Sequence, residues 1–230
     1  WQGLLQANTH AQQRIEWIAG VILCALLGYL PLFSRSGLAL TITSAGVLWV
    51  LWSLCTPPNR LNSIQFWLLA LLGIAVLATG VSPVPLEACK GLLKLISYLC
   101  VYALMTKLLQ TKPIWWDRIV ASLLSGALLS SVLALRQLYA STEELARWAD
   151  PNSITEGTIR IYGPLNNPNL LAGYLLPVVP LAAISLLRWN RWGPRLFAAM
   201  TLVLSSTAVV FTYIRGGWLG LLAGLSCVGL

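Results

Sequence analysis

The chain has 230 residues, 57% of them hydrophobic and only 10% charged, with a net charge of +8. Soluble domains hold roughly 25% charged residues, so the composition excludes an ordinary soluble globule and calls for lipid as the solvent of the outer faces. The basic residues lie between apolar runs, which makes them a matter of membrane topology rather than of nucleic-acid binding.

Residues 1–14 are mostly polar and rich in Gln, without the short apolar core and small-residue cleavage site of a signal peptide. Apolar runs long enough to be spans follow at 16–33, 37–55, 64–80, 90–109, 118–139, 169–187, 195–214 and 216–230, the last cut short. Breakers separate them: Ser34-Arg35-Ser36, Thr56-Pro57-Pro58-Asn59, Ser82-Pro83-Val84-Pro85, Lys112-Pro113 and Gly193-Pro194. The expected fold class is all-α, a polytopic transmembrane helical bundle of about eight spanning segments forming one domain over 1–230. The missing initiator Met and the abrupt last run lead us to expect the N-terminal part of a longer protein.

Basic residues divide eight against seven between the two sides, so raw counts do not orient the chain. The short loop "RWNRWGPR" (188–195), with three Arg counting both ends and flanking Trp, reads as cytoplasmic, and most acids fall on the other side. The N-terminus is therefore expected inside and the 140–168 segment outside, as an extracytoplasmic loop between helices five and six. Trp17, Trp115, Trp116, Trp189, Trp192 and Trp218 fall near run ends, where they read as interfacial anchors.

The polar segment 140–168 opens with "STEELARWA" (141–149), a short helix capped by Ser141 or Thr142. Near its end Pro164 and Pro168 prevent regular helix, and Asn169 is expected to cap the helix that begins "LLAGYLL". A helix start offers amides and partial positive charge to anions. With Arg160 before it and Arg215 at the outer end of helix seven, it would form an outer-face anion site to which Asn167 also contributes. The competing reading is that Asn166, Asn167 and Asn169 satisfy a tight re-entry loop.

Arg215 precedes Gly216, Gly220 and Gly224, a small-residue stripe that admits close helix approach and would hold the cation on a packed hairpin. Lys90 and Lys94, one turn apart at the outer start of helix four, would add to the same field or pair with Glu87 and lipid phosphates. Pro177 and Pro180 fall inside helix six and mean either a packing kink or a bend lining a polar cavity.

The five cysteines form no CxxC or Cys/His cluster, the single His lies in the polar N-terminal tail, and no nucleotide loop or hydrolase motif occurs. No metal, cofactor or nucleic-acid partner is expected. Apart from Lys94, no embedded run carries a charge in its middle, so no buried carboxylate relay is legible.

"YGPLNNPNLLAGYLLP" (162–177), followed by "FTYIRGGWLG" (211–220), resembles the O-antigen ligase/polymerase superfamily of bacterial inner-membrane proteins. "LATGVSPVPLEACKGLLKLISYLCVYAL" (77–104) and "TEELARWADPNSI" (142–154) are similar to its cyanobacterial subfamily associated with bicarbonate, or inorganic-carbon, transport. The resemblance covers most of 64–224 and is weak over 1–60. It implies a substrate that is either bicarbonate or a glycan carried on undecaprenyl pyrophosphate and ligated to an acceptor without metal or nucleotide. Arg215 in "YIRGG", and less securely Arg160, would match the family's outer-face pyrophosphate-binding arginines. The catalytic histidine of the ligases lies in a later loop beyond this chain. A third reading is a non-catalytic membrane subunit of a transport system.

Overall fold

The computed structural model describes residues 2–55, 63–139 and 160–228. They form eight helices and, among the described residues, no strand: α1 Gln2–Tyr29, α2 Arg35–Cys55, α3 Ser63–Gly80, α4 Pro85–Thr111, α5 Ile114–Arg136, α6 Pro168–Arg188, α7 Trp192–Phe211 and α8 Arg215–Val228. Helices α1 to α7 are long and apolar enough to cross a membrane. The chain is thus a multi-pass membrane protein, with seven candidate spans among the described residues rather than eight. The eighth expected run corresponds to α8, which is described over the 14 residues Arg215–Val228.

Most boundaries follow from local chemistry. Helix α4 starts five residues earlier than expected, because Pro85 is pre-set for a first helical turn and Glu87 suits its partial positive charge. Helix α1 takes in the polar segment 1–14 from Gln2 onward, since Gln, Ala and Leu favour helix and no proline intervenes. Helix α7 stops at Phe211, three residues early, where Tyr213 adopts a left-handed φ of 54°. Pro177 and Pro180 do lie inside α6.

The chain divides into two compact units, Trp1–Leu26 with Ser34–Ile119 and Leu27–Phe33 with Val120–Leu230. In the first, α4 receives both α2 and α3. Gly46 of α2 faces Cys100 of α4, where a Cβ would meet ordinary contact at 3.6 Å. Helix α3 buries none of its side chains, as expected of a span turned toward lipid.

In the second unit α6 is the central helix and packs on α7 and α8. Its Leu171, Leu175 and Val178 join Leu124 of α5 and Val209 of α7 in the core. Small and polar residues run down the buried face of α7 at helical spacing: Ala198, Thr201, Ser205, Ala208 and Thr212. They let neighbouring helices close up, as membrane interfaces require when water offers no hydrophobic drive. Ser205 and Ser131 of α5 hydrogen-bond at 3.1 Å, while Thr201 turns its hydroxyl back to the Phe197 carbonyl at 2.9 Å.

Candidate functional site

A helix C-terminus leaves carbonyls without intrahelical donors, and these must find partners. At the end of α7 the Thr212 amide approaches the carbonyls of Ala208 and Val209 at 3.2 and 3.3 Å, and the Thr212 hydroxyl donates to Val209 at 2.6 Å. The carbonyl of Val210 accepts from the Tyr213 amide at 3.1 Å and from the Trp218 indole at 3.2 Å. The last two carbonyls are met by another segment. Ile161 donates its amide to Phe211 at 3.3 Å, and Arg160 donates its Nε to Thr212 at 3.0 Å. A cation against a helix C-terminus is also favoured by the helix dipole.

That bond sets the geometry of the candidate site. It holds the half-buried Arg160 on the turn 212–214, three residues before Arg215. Arg215 is the first residue of α8, not the end of α7, and its side chain is exposed. The turn is stiffened by Tyr213, whose ring packs against Phe211 and Trp218, each at 6.4 Å.

Segment 160–167 is anchored on its other side just past the end of α5. Gln137 Oε1 accepts the amides of Tyr162 and Gly163, each at 3.0 Å. Gly163 has φ +54°, and a Cβ there would lie 3.0 Å from that of Ala134. Only glycine takes that backbone and that approach at low cost. Asn166, also left-handed at φ 55°, turns the chain into α6.

The cap of α6 is Asn167, not Asn169. Its side chain accepts the Asn169 amide at 2.8 Å, with Pro168 as the first helical residue. Proline is favoured in that first position, which shifts the start by two residues. Pro168 has no amide to offer and that of Asn169 is taken, so this helix start is largely self-satisfied. The two arginines, rather than the helix terminus, are the part of the expected anion site with donors to spare. Gln137, just past the end of α5, anchors this loop, and nothing in the local sequence marks it for that role.

The glycine stripe of α8 packs chiefly on α6. A Cβ at Gly220 would meet Leu176 at 3.2 Å and one at Gly224 would meet Pro180 at 3.5 Å, while Gly216 faces open space. The buried glycine of that first turn is Gly217. The expected α7–α8 hairpin is therefore corrected to an α6–α8 contact, and Pro180 serves packing.

Lys90 and Lys94 belong to the other unit. Lys90 pairs with Glu87 at 2.7 Å, both exposed, and Lys94 is exposed two and a half turns into α4 rather than at its start. An exposed pair of this kind contributes little stability. The expected helix 141–149 lies outside the described residues.

One expectation at the start of α5 is overturned. Trp115 is no interfacial anchor but is buried, 3% exposed, with its ring filling the space beside Gly20. Its indole donates to Glu16 at 2.7 Å, and Lys112 donates to the same carboxylate at 3.0 Å. Glu16 is thus a buried carboxylate that the sequence reading did not foresee, because its partners lie about a hundred residues away in the chain. Among the described residues no group of His, Cys, Asp and Glu is placed to hold a metal ion. No protein-family model, no curated protein and no solved structure matches the chain.

Proposed function

We propose that this multi-pass protein resides in a bacterial inner membrane with its N-terminus in the cytoplasm, binds an anion at the turn between α7 and α8, and serves bicarbonate (inorganic-carbon) transport or accumulation. Arg215 is the principal contact and Arg160 the second; Asn167 and Asn169, also expected there, are engaged in capping α6. The observation that carries this reading is the 3.0 Å bond from Arg160 Nε to the Thr212 carbonyl, which keeps a second guanidinium on the turn leading to Arg215. The planar fork of a guanidinium matches an oxyanion of the carboxylate or phosphate type. The choice of bicarbonate rests on the sequence resemblance.

A second reading, transfer of a glycan from a lipid-linked pyrophosphate, is favoured by the exposure of Arg215. A cation at the rim of a span meets a lipid headgroup directly, whereas a transporter is expected to bind its ion at an interrupted helix near the midplane.

The test is uptake of labelled bicarbonate by proteoliposomes holding the purified full-length protein, beside empty liposomes and the Arg215→Ala variant. Saturable uptake that the variant lacks supports the reading. Uptake no higher than in empty liposomes, from protein shown to be folded, overturns transport. Glycan transfer from a polyprenyl-pyrophosphate donor then decides the second reading.

A further inference from the structure

Arg118, in the first turns of α5, stands apart from that site. Its guanidinium lies 4.9 Å from the Trp115 ring and 5.1 Å from the Trp17 ring. The two indoles meet edge to face, 5.7 Å apart at 82°. Trp115 cannot move away, because its ring is set against Gly20 and its N–H is tied to the buried Glu16. Arg118 is therefore held against the two indoles at a fixed place.

A cation–π contact uses none of the five N–H donors of a guanidinium and leaves them for an acceptor. Arg118 is exposed, and neither ion pair among the described residues involves it. Its sequence neighbour Asp117 is half-buried and has interactions of its own, and adjacent helix positions do not face each other. Lys112 already compensates Glu16. Arg14 is exposed one turn before Trp17, at the i,i+3 spacing that shares a helix face. Two arginine edges thus remain uncompensated around Trp17.

The apolar stretches of α1 and α5 begin at Gln12 and Ile114, so these residues lie at a membrane–water boundary. What a bilayer offers at that depth is lipid phosphate, and basic pockets between spans bind anionic headgroups. Trp17 and Trp116, 55% and 43% exposed, offer apolar surface beside the cations for the glycerol and upper acyl carbons. We propose that Arg118 and Arg14, set around Trp17, bind the headgroup phosphate of an anionic phospholipid.

The experiment is native mass spectrometry of the purified full-length protein in detergent, titrated with phosphatidylglycerol, with phosphatidylcholine, or with phosphatidylglycerol in the presence of millimolar inorganic phosphate. Phosphatidylglycerol is expected to bind in preference to phosphatidylcholine and to resist displacement by phosphate. Arg118→Gln is expected to lower its affinity about tenfold, the size of one charge-assisted contact, with Arg118→Lys between the two. Equal binding of the two lipids, displacement by free phosphate, or unchanged affinity in Arg118→Gln overturns the proposal. Should Arg118→Gln not fold, Arg14→Gln at its exposed position carries the same test, and unchanged affinity there overturns it.

Discussion

Two glycines show how differently one residue type is used. In α5, a Cβ on Gly126 would run into the carbonyl of Gly28 and come within 3.0 Å of the Tyr174 hydroxyl. In α3, a Cβ on Gly73 would meet nothing within 4 Å. Overpacking a closed contact costs about 1–3 kcal/mol, whereas alanine gains up to about 1 kcal/mol over glycine as a helix former. Gly126→Ala is therefore expected to lower the thermal unfolding midpoint of the detergent-solubilised protein, and Gly73→Ala to leave it unchanged or raise it. Equal effects would mean that α1 and α5 do not approach closely at Gly28. Glycine spacing in the sequence does not separate these cases, because it cannot say which glycine has a neighbour. Gly216, expected in the packed stripe, is open, while Gly220 and Gly224 are packed.

At the scale of the element, the segment 160–167 is held between two helix ends. Gln137, just past the end of α5, accepts two of its amides, and its Arg160 and Ile161 donate to the carbonyls at the end of α7. Gln137→Ala would remove the acceptor that the Tyr162 and Gly163 amides share, at about 1–3 kcal/mol for an amide that stays buried and unpaired. Faster amide hydrogen exchange at Tyr162 and Gly163, with the core of α6 unchanged, is the expected result. Unaltered exchange would show that the segment is held without Gln137. The spans themselves were legible from sequence, since each needs only an unbroken apolar run between Pro, Gly and Ser breakers. The joints were not. Whether Asn167 or Asn169 caps α6 depends on where Pro168 sits in the first turn, and both are asparagines beside one proline. Glu16 with Lys112 and Trp115, and Ser131 with Ser205, are pairings between distant helices to which local pattern is blind.

At the scale of the whole molecule, the arrangement of basic loops makes a directional statement. Arg188, Arg191 and Arg195 crowd the short connection from α6 to α7, and short loops rich in Arg are biased toward the cytoplasm. Helix α6 begins beside the end of α5, through the bonds from Tyr162 and Gly163 to Gln137, so the end of α5 and the α6–α7 connection lie at opposite ends of α6. Asn190 in that connection is exposed, and Tyr139 at the end of α5 is 92% exposed. In a cysteine-free background, Tyr139→Cys is expected to react with a membrane-impermeant maleimide added outside intact cells. Asn190→Cys is expected to react only after the membrane is opened. The reverse pattern would place the turn carrying Arg215 on the cytoplasmic side. An externally presented anion would then not reach it, and a cytoplasmic ligand would have to be sought. Labelling of both from outside would break the span assigned to α6, whose 21 residues are the most apolar stretch of the seven. This one measurement therefore decides from which side an anion must approach Arg160 and Arg215, whichever anion it is.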